Sequence, residues 1–255
     1  MTTLTAAPPK TAPARLFTPL RSGPNGNALK FLKRIGYSNI HTHPDDAPAF
    51  FYEAGLNIDA DGAPHAYHPD GKSGLDYRGN AGRPGNWWAL VTDNAKPSGR
   101  PIIQGAHDPA PGFYISTTSL KDLNYEREDP RRYVNAEAIN FIVLPRRLGL
   151  GAKLGDFAVV IHPETGVHAY AVYADVGPAN RIGEASIALA NALGIPSSPK
   201  SGGIGHSIGY IVFPRSAQPH RPLSQQEIDR YGARLFSRWG GIDKAKDFLP
   251  QLKWA

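Results

Sequence analysis

No cysteine occurs in the 255 residues, so a disulfide framework, a thiol nucleophile and a thiolate metal site are all excluded. Long apolar runs are missing too. No stretch approaches the ~20 residues a membrane helix needs, so no membrane span is expected. The N-terminal string MTTLTAAPPKTAPARLFTP lacks a basic start followed by an apolar run, and no secretory signal is readable in it. Clustered basic charge is also scarce. The net charge is +6, yet Lys and Arg are scattered, with Lys33-Arg34, Arg131-Arg132 and Arg146-Arg147 the adjacent pairs. Nucleic acid would want a basic stripe, so no nucleic-acid partner is expected and the charge reads as solubility. No internal repeat is visible.

Glycine (27) and proline (24) are plentiful, which predicts many turns, short strands and long loops. The 41% hydrophobic content supports a core. Residues 1–27 read as a flexible Pro/Thr/Ala-rich arm, and residues 28–255 as one domain with a core at about 50–213. A short helix is expected over 28–35, with Leu29, Leu32 and Ile35 three apart and Gly36 as its stop. Strands are expected from Phe50 and again after an Asp61-Gly62 turn, then over 87–92, 112–118 and 141–144.

The most informative stretch is GDFAVVIHPETGVHAYAVYADVGPANRIGEASIALANALGI, residues 155–195. It reads as a buried strand over 157–161, a second over 168–174, an acidic loop and a buried helix over 185–193. The odd residues Ala169, Ala171 and Tyr173 are expected to share a face with Asp175. The loop 202–205 leads to a strand over 208–213. Ser224 and Glu227 form a capping box that opens a C-terminal helix over 224–239.

Asp175 and Glu184 stand 9 residues apart (184 − 175) around a Gly-Pro turn. Each alone has an ordinary reading, as a turn aspartate and a helix-start glutamate. Together they suit general acid/base hydrolysis. A helix N-terminus would keep Glu184 ionised, as a base requires. Aromatic and apolar neighbours would raise a carboxyl's pKa, as an acid requires. Flat surfaces for stacking a sugar are offered by Tyr77, Trp87, Trp88 and Tyr173. Only one of the two adjacent tryptophans is expected to face a given groove. Asp59, Asp61, Asp76 and Asp108 are candidates to hold a cationic sugar, and are expected near the pair with Lys and Arg elsewhere.

The strings EAGLNIDADGAPHAYHPD, GLDYRGNAGRPGNWW, DPAPGFYISTTSL, YVNAEAINFIVLP, YADVGPANRIGEASIALANALGI and GYIVFP closely resemble glycoside hydrolase family 75, the chitosanases. The resemblance implies endo-hydrolysis of β-1,4 linkages between glucosamine residues of chitosan or chito-oligosaccharides, with inversion, no cofactor and no metal. It places the essential Asp of YAD-x-GP at Asp175 and the essential Glu of IGE at Glu184. It also implies a typically secreted protein. A monomer is expected. Ala185 stands where the family usually has Gly, and the C-terminal extension is similar to the bacterial branch. The central stretch further resembles the six-stranded double-psi β-barrels of rare lipoprotein A and endoglucanase family 45. The fold expected is therefore mainly β with a few helices (α+β), a double-psi β-barrel-like core and long loops, with Asp175 as acid and Glu184 as base.

Rival readings attach to other strings. His41-Thr-His43-Pro-Asp45-Asp46, with His65 and His68, is similar to zinc deacetylases of N-acetylglucosaminyl lipids. No βαβ alternation surrounds it, and Ala47 replaces the acidic residue those enzymes carry, so a loop with satisfied histidines is preferred. The barrel resemblance admits a peptidoglycan glycan-strand cleaving enzyme. A non-catalytic carbohydrate-binding protein is a third reading, against which both carboxylates speak.

Overall fold

The computed structural model describes residues 29–46, 48–217 and 221–255. The proposed arm over 1–27 lies outside them. The strands are β1 Lys30–Ile35, β2 Ser38–Thr42, β3 Phe50–Asp59, β4 Gly82–Arg83, β5 Asn86–Trp87, β6 Phe141–Pro145, β7 Phe157–His162, β8 Val167–Gly177, β9 Glu184–Ser186 and β10 Ile204–Val212. The helices are α1 Ile187–Ala192, α2 Gln225–Trp239 and α3 Gly241–Phe248.

Six strands close a barrel in the order β3-β10-β7-β8-β6-β9, with β9 returning to β3. The pairs β3–β9 and β6–β8 are parallel, and the other barrel pairs antiparallel. The protein is thus mainly β, as the sequence implies. β3 is long enough for two tasks. Phe51 and Tyr52 pair with β2, while 57–59 pair with β9. Closure leaves the barrel wall with no open strand edge, which removes a route to aggregation.

Strand alternation sorts the side chains. Phe50, Tyr52, Leu56, Ile142, Val160 and Tyr210 are among those filling the barrel. Inside it, Tyr52 and Tyr210 stack with centroids 4.8 Å apart, and the Tyr210 hydroxyl donates to the Gly55 carbonyl at 2.8 Å. Outside, Phe51, Val159 and Ile211 pack under Phe236 of α2 and Phe248 of α3. On another outer face, Phe141, Val143, Val172 and Ala174 are covered by the long excursion between β3 and β6, through Ala63, Tyr67, Trp87 and Val134. That excursion roofs the candidate site.

Several local expectations need correction. The expected helix over 28–35 is not found in its described part, 29–35. Lys30–Ile35 forms a hairpin with β2, turning at Gly36, whose φ of 56° suits glycine. Apolar residues three apart also fit a bulged strand, and β1 has its register shift between Phe31 and Lys33. No strand follows the Asp61-Gly62 turn. Gly62 approaches Val134 so closely that a Cβ would stand 2.1 Å from its carbonyl oxygen, and the chain packs there instead of pairing. The expected strands over 87–92 and 112–118 reduce to β5 and isolated bridges such as Leu90 with Ser116. The helix over 185–193 begins later, because Glu184–Ser186 pairs as β9 and Ser186 caps α1 by accepting the Leu189 N–H at 3.1 Å.

Other expectations agree with the fold. β6 and β7 fall where apolar runs place them, β10 starts at Ile204, earlier than the expected 208, and β8 runs on through Asp175. The capping box at Ser224 and Glu227 is formed, and α2 ends at Gly240. α3 follows at once.

Candidate active site

Asp175 and Glu184 lie on two different strands flanking a third. In the register of β6, Val143 pairs with Asp175 of β8 on one side and with Glu184 of β9 on the other. A register shift makes this possible. Ile142 pairs with Tyr173, but the next residue, Val143, pairs with Asp175. The bulge therefore turns Asp175 out of the barrel while Tyr173 stays inside it. This overturns the expectation that Asp175 shares a face with Ala169, Ala171 and Tyr173. Strict alternation held only up to the bulge.

Donors converge on Asp175. Its Oδ1 accepts the Ser119 N–H at 2.9 Å, the Ser119 hydroxyl and the Val176 N–H at 2.8 Å. Ser119 is fixed there because the Leu120 N–H donates to the Ala174 carbonyl at 2.8 Å. Burial raises the Asp175 pKa, while the Ser119 and Val176 hydrogen bonds and the charge of Lys121 oppose the rise.

Glu184 also has a raised pKa, first from burial and then from the charge of Asp175, with Arg181 opposing. The expectation of a glutamate kept ionised by a helix terminus fails, since Glu184 is a strand residue two positions before the helix cap. Its backbone is set by Gly183, where φ is 90° and a Cβ would lie 2.6 Å from that of Ala54.

Two more carboxylates join from the end of β3. One oxygen each of Asp59, Asp61 and Asp175 lies within 4.8 Å of the others. Asp59 Oδ1 accepts the Asp61 N–H at 2.7 Å, and the Tyr67 hydroxyl donates to Asp61 Oδ1 at 2.7 Å. Burial first, then neighbouring negative charges, push both aspartates well above the ordinary range; the Tyr67 bond opposes this at Asp61. Asp61 is packed round by protein yet keeps part of its surface open, as do Asp175 and Glu184.

The other candidates scatter. Asp76 is near enough for its charge to act on Asp61 and Glu184, and is itself bound by the Tyr77 N–H and by Asn80 Nδ2. Tyr77 is 55% exposed, with the Lys200 ammonium 5.4 Å from its ring centre. Trp88 is 57% exposed and its indole N–H donates to the Asn80 carbonyl at 2.9 Å, whereas Trp87 is 7% exposed inside the core. Tyr173 is inside the barrel. Asp108 stands apart, accepting from the Gly105 N–H at 2.7 Å and acting on Arg131. Cations are not excluded from the region either. Lys121, Arg181 and Lys200 act on Asp175, Glu184 and Asp76.

The histidine motif is not part of this site. His43 stacks on Phe248 and its Nδ1 accepts the Asp45 N–H at 3.2 Å, while Asp46 pairs with Lys244. His65 pairs with Glu137 at 3.1 Å and His68 with Asp70 at 2.9 Å. Ser119 is the residue that sequence reasoning missed. It sits inside a quoted string, but nothing local marks a serine that meets a carboxylate 56 positions away.

A strand-borne Asp/Glu pair beside further carboxyl groups is an arrangement that suits acid/base hydrolysis. The family model for fungal chitosanase of glycosyl hydrolase group 75 matches residues 114–237, a span holding Ser119, Asp175 and Glu184. The protein is a glycoside hydrolase, and the resemblance to group 75 carried by its motifs stands. No curated protein matches the chain. No helix among the described residues is long and apolar enough to cross a membrane.

Proposed function

We propose that the protein is an endo-acting chitosanase that cleaves β-1,4 linkages between glucosamine residues with inversion. The observation that carries this reading is the placing of Asp175 and Glu184 on either side of Val143. Two inter-strand spacings separate their backbones by roughly 9–10 Å. Inverting pairs need about 6.5–9.5 Å between carboxyl groups, so that a water fits beside the sugar. Asp175 is the general acid. Its proton passes to the glycosidic oxygen as the bond to the anomeric carbon breaks, and the Ser119 and Val176 donors stabilise the carboxylate left behind. Glu184 is the base. It takes a proton from the water whose oxygen attacks the anomeric carbon from the opposite face, and the nearby Arg181 charge favours its ionised form.

Asp59, Asp61 and Asp76 bring further carboxyl groups to the pair, able to accept hydrogen bonds from the ammonium and hydroxyl groups of a glucosamine polymer, despite the net positive charge of the chain. Exposed charges act over only ~8–10 Å in salt, so the local field decides. Tyr77 and Trp88 offer the exposed rings on which sugar units stack. Residues 28–255 form the catalytic unit, acting as a monomer. The parallel pairs β3–β9 and β6–β8 support a double-psi connectivity for the barrel.

The test is the release of reducing ends from well-deacetylated chitosan by wild type, Asp175→Asn and Glu184→Gln, with polymer binding measured alongside. Activity in the wild type alone, with binding kept by all three, supports the reading. An inactive wild type that instead cleaves peptidoglycan glycan strands overturns the substrate, and one that binds without cleaving anything overturns the mechanism.

A further inference from the structure

A cavity of about 410 Å³ opens between α2 and the loop that follows β10. Phe157, Tyr231 and Leu235 give it apolar walls, and Arg215, Arg234 and Arg238 bring three guanidinium groups to it. Tyr231, Arg234, Leu235 and Arg238 stand at i, i+3, i+4 and i+7 of α2, so the helix presents them on one face. Among the described residues, no carboxylate lines the cavity. The arginines that pair with acids are Arg100, Arg127, Arg131 and Arg221. The three at the cavity are exposed and, among the described residues, make no ion pair.

The loop is built around a buried charge. Asp156 is 0% exposed, and its oxygens accept the N–H groups of Lys153 at 2.7 Å, Arg215 at 3.0 Å and Ala217 at 2.9 Å. The Ser216 hydroxyl ties the same loop to β7 by accepting the Phe157 N–H at 2.9 Å. Arg215 is held there at a φ of 65°, a left-handed conformation that residues with a side chain rarely adopt. Such a conformation persists where the surroundings over-determine it. Asp156 thus fixes the backbone of Arg215 and leaves its guanidinium without a counter-charge.

We propose that this cavity binds a small phosphomonoester, with the phosphate between Arg215, Arg234 and Arg238 and the organic body against Tyr231 and Leu235. Three like charges gathered without a counter-charge favour an anion among them. A carboxylate carries one negative charge, whereas a phosphomonoester carries about −1.5 to −2 at neutral pH and three acceptor oxygens. The planar fork of arginine matches those oxygens two at a time. The apolar walls and the Tyr231 ring add a surface that a bare inorganic ion would not use. The site is separate from the carboxylate pair, and it does not depend on which polymer that pair cleaves.

The experiment titrates the full chain with glucose 6-phosphate, inorganic phosphate and glucose by calorimetry. One site is expected for glucose 6-phosphate, with weaker binding of inorganic phosphate, which lacks the body, and none of glucose, which lacks the charge. Arg234→Gln and Arg238→Gln should each weaken binding about tenfold or more, the usual scale for a hydrogen bond to a charged group. Arg34→Gln, an equal change of charge on β1, should leave it unchanged. Equal weakening in Arg34→Gln would mean attraction to the overall positive charge, and overturns the site. Absence of binding by wild type at millimolar glucose 6-phosphate overturns it as well. Inorganic phosphate bound as tightly as glucose 6-phosphate overturns the role of the apolar walls. Arginine Nε–H signals in NMR give a readout that needs no variant. Three of them should shift in wild type on adding glucose 6-phosphate, and an unchanged set overturns the proposal. Binding to vesicles containing phosphatidic acid, with none of glucose 6-phosphate, would assign this face to a membrane surface and overturn the small ligand. None of these readouts uses a polymer, so their failure is distinguishable from failure of the chitosanase reading.

Discussion

Asp175 and Glu184 are held on opposite sides of Val143, each paired with it in the register of a different neighbouring strand. The pair is therefore as rigid as the barrel wall. Removing either carboxylate should leave the wall intact. Asp175→Asn and Glu184→Gln are each expected to lose about 10²–10⁴-fold in kcat with an unchanged circular dichroism spectrum. Azide should rescue the variant lacking the base, and an activated leaving group the variant lacking the acid. Rescue in the reverse sense would exchange the two roles.

Gly183 sets the backbone before Glu184 with a φ of 90°, and faces Ala54 and Gly55 with no room for a methyl group. Gly183→Ala combines a left-handed strain with a clash, so a loss of about 1–3 kcal/mol in stability is expected. Activity should fall further than the folded fraction does, because the clash displaces Glu184. Denaturation and kcat measured on one preparation check this.

Trp87 and Trp88 are neighbours in sequence with opposite environments. Trp87→Ala is expected to cost about 3–5 kcal/mol of stability, the usual cost of removing a buried tryptophan. Trp88→Ala should leave stability nearly unchanged and raise KM for chitosan several-fold, since Trp88 is proposed as a sugar platform. A raised KM in neither variant would remove that role.

Burial raises the pKa of Asp59, Asp61, Asp175 and Glu184 above ordinary values of 3.8 and 4.5. The native state then binds more protons than the unfolded chain between the ordinary values and the raised ones. Stability must fall as pH rises through that window, from about 4 upward. Glu227 works in the opposite sense. Arg221 and Ser224 hold its pKa at about 2, so its contribution is lost as pH falls through that value, but it is solvent-exposed and screened. Thermal unfolding followed from pH 4 to 8 should show a declining Tm in wild type and a flatter decline in Asp61→Asn.

The capping box of α2 is local and its cost is separable. Ser224→Ala should lower stability by about 1 kcal/mol, or Tm by about 2–4 °C for a chain of this size, with kcat unchanged. A change in kcat would tie the site to α2, whose Ile228 packs in the same outer cluster as Val143.

What the sequence determined by itself was what neighbouring residues decide. Unbroken apolar runs made β6, β7 and β10 legible, because a buried strand needs both faces apolar. Ser224 and Glu227 marked the start of α2, because both halves of a capping box lie within one turn. The strings around Asp175 and Glu184, and the family they resemble, singled the pair out as candidates. Tertiary structure decided the rest. Leu29, Leu32 and Ile35 fit helix and bulged strand alike, and pairing with β2 chose between them. Glu184 became a strand residue because β3 and β6 both offered it a ladder, which outweighed the local preference for helix. The bulge that turns Asp175 out of the barrel comes from its pairing with Val143. The meeting of Asp59 and Asp61 with Asp175, and the approach of Ser119, arise only when the barrel closes and the covering loop folds over it. Those contacts join residues far apart in the chain, and no local preference encodes a distance that closure alone creates.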